Sequence, residues 1–157
     1  MSILINIPEA KSLEIRYLVL DFNGTLAIDG KLIDGTKPLL ELLSNQLIVH
    51  VLTADTFGTA ERELSGINCI VNVLSHDLQD MQKESYVFNL GENHVIAIGN
   101  GLNDALMVKC AALGIVVVQK EGASMETLLN ADIVCTNILD AFELLLNPQR
   151  IVATLRK

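Results

Sequence analysis

Polar residues capable of chemistry sit at the ends of short apolar runs in this chain of 157 residues. Asp21 closes the run Tyr17–Phe22 and is followed by Asn23-Gly24-Thr25. A carboxylate there serves either as a turn or capping group or as a nucleophile and metal ligand. Gly24 lets the backbone pass close to a ligand and turn its amides inward, where they would hold an anion beside the carboxylate. Thr53 closes the second apolar run, Leu47–Leu52, and reads on its own as a helix cap or as a hydroxyl donor. Lys83 lies in the helical stretch Leu78–Leu90, where a solvated lysine is the common outcome. Asp104, in Gly99-Asn100-Gly101-Leu102-Asn103-Asp104, would suit the start of a helix or a metal.

The elements that must position these residues follow from the hydrophobic pattern. Continuous apolar runs at Tyr17–Phe22, Leu47–Leu52, Cys69–Leu74, Val95–Ile98, Ile115–Val118 and Ile133–Cys135 predict strands buried on both faces. Between them the spacing predicts helices over Lys37–Leu43, Thr59–Leu64, Leu78–Leu90, Asp104–Leu113, Met125–Leu129 and Leu139–Leu146, with Pro148 opening a last one. Strand–helix alternation predicts a single domain over residues 1–157, α/β in class, with a three-layer, doubly wound, mostly parallel sheet. Ile3–Ile15 suggests a two-stranded edge hairpin. Asp29-Gly30 within Ala27–Ile33 is a two-residue hairpin signal, placing a small flap just past the first strand. The carboxyl edge of such a sheet is where ligands bind.

The motifs in chain order resemble those of haloacid dehalogenase-type phosphohydrolases. Asp21-Phe22-Asn23-Gly24-Thr25-Leu26 is similar to the family's Asp-x-Asp-Gly-Thr-Leu, and to the Asp-Lys-Thr-Gly-Thr of P-type ATPases. Thr53 in Val51-Leu52-Thr53-Ala54-Asp55 looks like the phosphate-binding threonine, Lys83 like the phosphate-clamping lysine, and Gly99–Asp104 like the acidic fourth motif Gly-Asp-Gly-x-Asn-Asp. The whole chain looks closest to capless, soluble P-type ATPase-like proteins.

The resemblance implies an aspartyl-phosphate at Asp21 and a catalytic set of Asp21, Asn23, Thr53 and Lys83. It implies phosphate binding by Gly24, Thr25, Thr53, Ala54, Lys83 and Asn103. It implies a magnesium ion, Mg2+, on Asp21, Asn23 (through its carbonyl), Asn100 and Asp104. A transferred phosphoryl group spreads negative charge over its oxygens, so a lysine, a hydroxyl and amides around it suit the chemistry.

Two positions depart from the family. Asn23 stands where ordinary members carry the general acid and base, and an amide cannot exchange a proton in that way. Asn100 stands where a charged magnesium ligand is expected, so metal affinity should be lower. Slow turnover follows, and the alternative is a non-catalytic or regulatory phosphate-binding domain on the same fold.

Too few residues separate Leu26 from Thr53, or Thr53 from Lys83, to hold a cap domain. Capless relatives act on large substrates or build a lid by oligomerising. The expected partners are therefore a phosphorylated small molecule or nucleotide and further copies of the chain, as a homo-oligomer (dimer or tetramer) with Ala27–Ile33 near a neighbouring site.

Composition narrows the rest. The net charge of -8 disfavours binding to a nucleic-acid backbone. No run of apolar residues is long enough to span a membrane, and the start of the sequence lacks a signal-like segment. Cys69, Cys110 and Cys135 are odd in number with no paired spacing, which predicts buried thiols and a cytoplasmic location. Gly99-x-Gly101-x-x-Asp104 half matches a dinucleotide fingerprint, but an acid in the third glycine's place would repel a pyrophosphate.

Overall fold

A computed structural model describes all residues, Met1–Lys157. Its centre is a six-stranded parallel sheet in the order β10-β9-β8-β3-β6-β7. The strands are β3 (Tyr17–Asp21), β6 (Ile48–Thr53), β7 (Ile70–Val73), β8 (Val95–Gly99), β9 (Leu113–Val117) and β10 (Ile133–Cys135). The helices are α1 (Thr36–Ser44), α2 (Thr59–Glu63), α3 (Gln79–Leu90), α4 (Ala105–Cys110), α5 (Met125–Asn130), α6 (Ile138–Leu146) and α7 (Pro148–Leu155). The α/β class, the doubly wound sheet and the lack of a cap domain are as the sequence predicts.

The continuous apolar runs arise because β3 and β8 are covered on both faces. Leu18 and Leu20 of β3, with Ile96 and Ile98 of β8, join a large core that also holds Leu40, Phe142 and Ile151 from α1, α6 and α7. Val19, Val95 and Ala97 point the other way, onto Val87 of α3 and Met107 and Val108 of α4. No strand between these helices could alternate apolar and polar residues without burying polar ones.

Three expectations need correction. The first hairpin, β1 (Ile3–Ile7) and β2 (Lys11–Ile15), forms, but as its own two-stranded sheet rather than on the edge of the main one. Its Ile3, Ile5, Ile7 and Ile15 drop into the large core beside α7, so burial holds it in place. Helix α4 ends at Cys110, not Leu113. Leu113 already belongs to β9, paired with Ile96 of β8. Next to it, Gly114 lies so close to α4 that a Cβ would sit 2.2 Å from the Val108 carbonyl oxygen. Finally, Leu78 does not begin α3; it precedes the helix in a left-handed conformation, φ 52. Of the three free cysteines only Cys135 is buried; Cys69 and Cys110 are partly exposed.

The flap forms as the Asp29-Gly30 signal requires. Strands β4 (Ala27–Ile28) and β5 (Lys31–Leu32) pair antiparallel, and both turn residues have positive φ, 51 for Asp29 and 78 for Gly30. The Leu32 amide donates to Glu63 Oε2 at 3.0 Å, which ties the flap to α2. Ala27 is buried, and Leu32 and Ile33 pack on the core.

The Gly114 contact gives a direct test. Gly114→Ala should destabilise the chain by about 2–4 kcal/mol, since backbone rather than a flexible side chain blocks the added methyl. Urea unfolding of the variant and the encoded protein measures it.

Candidate active site

The site is assembled by sheet topology. β3 occupies the middle of the sheet, with β8 on one side and β6 on the other. Their carboxyl ends therefore bring Asp21, Thr53 and the Gly99–Asp104 turn together. A polar cleft of about 630 Å³ opens there, lined by Asp21, Asn23, Thr53, Ala54, Lys83 and Asn100 among others.

Lys83 reaches in from α3 and is almost wholly buried. Its Nζ donates to Asp21 Oδ1 at 2.8 Å and to Asp104 Oδ1 at 2.7 Å, with Asn103 Oδ1 at 3.4 Å. Burial alone would favour the neutral amine, but the two carboxylates outweigh it and hold the ammonium more firmly charged than an ordinary lysine. Two buried carboxylates share this one cation, so the cluster carries an excess negative charge. That excess is felt at Asp21: burial first, then the Asp104 charge, lift its carboxyl to about 7 against the pull of Lys83 and Thr25.

Asp21 is also oriented from its other oxygen. Thr25 Oγ1 donates to Asp21 Oδ2 at 3.1 Å and lies 3.3 Å from Asn100 Oδ1. The Asn100 amide nitrogen in turn donates to the Gly122 carbonyl at 3.1 Å. Gly24 must be glycine: its φ is 83 and a Cβ would fall 2.5 Å from the Asn100 side chain. The amides of Gly24 and Thr25 are occupied inside the turn, by Ala27 and Phe22 carbonyls at 2.7 and 3.2 Å. This corrects the expectation that they face a phosphate. The turn instead leaves the N–H groups of Phe22 and Asn23 without a protein acceptor, and the Ala54 N–H beside Thr53 is likewise free. All three residues line the cleft. Residue types alone do not reveal this, since free amides are found only by accounting for every backbone bond.

Asp104 is the second correction. It is fully buried, and its Oδ2 accepts from the Asn100 and Gly101 amides, both at 3.0 Å, while its Oδ1 holds Lys83. Gly99 leaves room for it, since a Cβ there would sit 2.5 Å from the Asp104 carboxyl. Both oxygens are therefore committed, and Asp104 anchors the lysine rather than facing the cleft. No cluster of three or more His, Cys, Asp or Glu side chains suited to a metal occurs in the chain. The donors for a cation on the cleft side are Asp21, Asn23 and Asn100. One carboxylate with neutral oxygens and a substrate phosphate is a set that magnesium accepts, so the residues fit that ion, though with little charge.

Two residues that the sequence left unassigned hold the site's frame. Asp55, not Thr53, caps α2: its carboxylate accepts from the Phe57, Thr59 and Ala60 amides at 2.9, 2.8 and 3.3 Å. The Phe57 amide leads in holding that carboxyl below the usual range. Gln119 bridges the loop after Asp21 to α6. Its amide nitrogen donates to the Gly24 and Thr25 carbonyls at 3.1 and 2.9 Å, and its oxygen accepts from Ile138 N at 2.8 Å.

No family model matches the chain. The uncharacterized protein MJ0073 of Methanocaldococcus jannaschii is 47% identical over 79 residues, covering 50% of this chain and 80% of that protein. The chain belongs to the same family as MJ0073. A second protein of that organism, MJ0072, is 44% identical over 39 residues, which is 25% of this chain and 89% of its own length. Among solved structures, the cobalt-bound deoxy-D-mannose-octulosonate 8-phosphate phosphatase of Haemophilus influenzae superposes with TM-score 0.69 at 13% identity, covering 91% of this chain and 94% of that one. The 3-deoxy-D-manno-octulosonate 8-phosphate phosphatase of Moraxella catarrhalis, in complex with magnesium, phosphate and its sugar acid, gives TM-score 0.63 at 22% identity, covering 90% and 94%. A phosphoserine phosphatase in apo form gives 0.63 at 14%, covering 82% and 98%. At these identities the likeness establishes the fold alone: the chain shares the fold of these phosphatases. No helix is long and apolar enough to cross a membrane.

The lifted Asp21 carboxyl predicts a stability trade-off. A folded-state value of about 7 against an ordinary 3.8 means that the folded protein holds an extra proton between those limits. Stability contributed by this group is present at low pH and lost as pH rises from about 4 to 7. Asp21→Asn removes that loss. In chelator, the variant's thermal midpoint should exceed that of the encoded protein, and by more at pH 8 than at pH 5.

Proposed function

We propose that this chain is a slow, magnesium-dependent phosphohydrolase, phosphatase or ATPase-like, that works through an aspartyl-phosphate at Asp21. One observation carries the reading: the oriented Asp21 carboxylate faces a cleft ringed by three unpaired amides, a threonine and a buried ammonium. These groups match what a phosphoryl group in transfer demands. Support also comes from the Moraxella neighbour, which holds magnesium and phosphate on the same fold.

In the first step an Asp21 oxygen attacks phosphorus, and the bond to the substrate's leaving oxygen breaks. Lys83 and the Phe22, Asn23 and Ala54 amides take up the charge on the equatorial oxygens, with Thr53 beside them. In the second step water attacks phosphorus, the Asp21–phosphorus bond breaks, and phosphate and a proton leave. Asp21, the Asn23 carbonyl and Asn100 would hold the magnesium, which when bound supplies charge neutralisation between carboxylate and phosphate. Asp104 acts by fixing Lys83.

Neither Asn23 nor Asn100 supplies an acid, so the leaving oxygen takes its proton from solvent and breakdown of the intermediate is slow. Slow breakdown is also what the resemblance to P-type ATPases implies. The same two residues favour a second reading, a regulatory domain that binds phosphate and seldom turns over. We propose further that the chain assembles as a dimer or tetramer in the cytoplasm. Leu78 and Leu102 are exposed apolar side chains beside the uncapped cleft and suit such contacts.

Three measurements test this. Asp21→Asn should abolish hydrolysis of phosphomonoesters and ATP while leaving the fold intact, and retained turnover rules out the covalent route. Asn23→Asp should raise the rate of dephosphorylation, on the order of 10²–10⁴-fold, because general acid–base catalysis returns; an unchanged rate selects the regulatory reading. Light scattering should give a mass at least twice that of one chain, and a concentration-independent monomer refutes the assembly.

A further inference from the structure

The cleft is larger than a phosphate requires, and its far wall has a distinctive construction. Phe57 lines it and is the most exposed large apolar side chain of the protein, at 84%. Aromatic residues make up only 4% of the chain, so an aromatic ring placed in water at the mouth of this cleft is not filler. Nor is it on a loose tip. The Phe57 amide donates to Asp55 Oδ1 at 2.9 Å, and its carbonyl accepts from Arg62 Nη1 at 3.3 Å. Asp55 is itself locked by the first turn of α2. The backbone that carries the ring is thus pinned on both sides, and little conformational freedom is lost when the ring meets a ligand.

Charge narrows what that ligand can be. The ionisable side chains lining the cleft are Asp21, Asp55, Glu121, Lys83 and His76. Lys83 is the only permanent cation, and it is already shared by two carboxylates. No arginine or second lysine lines the wall to meet a carboxylate or a second phosphate on the leaving group. A sugar acid phosphate or a nucleoside triphosphate would bring unmatched negative charge toward Asp55 and Glu121, which favours the phosphatase arm of the proposed function over the ATPase-like one.

We propose that Phe57 is a specificity-determining residue, and that the substrates are phosphate monoesters whose leaving alcohol carries a flat, uncharged ring, of the nucleoside monophosphate class. The phosphate sits over Asp21, and the ring stacks on Phe57. This rests on the proposed role of Asp21 as the phosphate site. Stacking is sequence-tolerant, because every base offers a π-face, so the identity of the base matters little.

Calorimetry with magnesium present tests it, using adenosine 5′-monophosphate, glycerol 2-phosphate and inorganic phosphate against the encoded chain, Phe57→Ala and Phe57→Trp. The expected result is tighter binding of the nucleotide than of glycerol phosphate. Phe57→Ala should weaken the nucleotide about 5- to 100-fold, the worth of one stacked base, and leave inorganic phosphate unchanged. Phe57→Trp should restore nucleotide binding. Because the ring is exposed, neither substitution threatens folding. Nucleotide binding that Phe57→Ala does not change, or that is no tighter than glycerol phosphate, overturns the inference while leaving the phosphate site standing. If neither inorganic phosphate nor beryllium fluoride binds the encoded chain, the proposed function falls, and this inference with it.

Discussion

The buried ammonium of Lys83 is the constraint around which this molecule is arranged. A lone cation in that position would be untenable, and so would either carboxylate without it. Lys83 lies 62 residues after Asp21 and 21 before Asp104, yet its nitrogen is within 2.8 Å of both. To close those distances β3 and β8 must be neighbours, α3 must cross at the level of their carboxyl ends, and Gly99 must lack a side chain. Removing the shared cation would leave two buried carboxylates uncompensated, a loss that typically costs about 3–5 kcal/mol, so Lys83 is structural as well as chemical. The excess negative charge that one cation leaves uncancelled settles on Asp21, the residue that faces the cleft.

Much of this was legible in the sequence, for physical reasons. The strands were readable because helices cover both faces, so their residues had to be apolar without interruption. The flap was readable because Asp29-Gly30 satisfies a turn with two positive φ angles. Asp21, Thr53, Lys83, Asn100 and Asn103 do line one cleft. What escaped reading depends on backbone and long-range packing. The α4–β9 boundary is set by a close approach of Gly114 to the Val108 carbonyl, which no hydrophobic period encodes. The donors left free by the turn after Asp21 follow from which carbonyls the other amides choose. Asp104 has the right residue type to bind a cation, and only its three hydrogen-bond partners reveal that it is already engaged. The Gln119 bridge joins groups nearly a hundred residues apart, and nothing local announces it.

The solved neighbours share the scaffold with this chain at 22% identity or less among those compared here. A scaffold so tolerant fixes where a ligand binds and leaves to single side chains what is done to it. In this chain the polar floor is complete except for two amides in place of acids, and the walls are nearly devoid of positive charge. The floor and the walls therefore carry separate information, the first about reaction type and the second about the rest of the substrate.

The central place of β3 has a consequence for how the protein comes into being. Its strand partners come from well down the chain, with Tyr17 paired to Ile48 on one side and to Val95 on the other. Contacts of that separation close slowly, since loop entropy must be overcome before they contribute. During synthesis from the amino terminus, Asp21 emerges long before Lys83, Asp104 and Gln119. For that interval it is an ordinary solvated carboxylate on an unpaired strand. Asp21 acquires its surroundings only when the later strands dock, so the buried cluster forms in a single late event rather than growing with chain length.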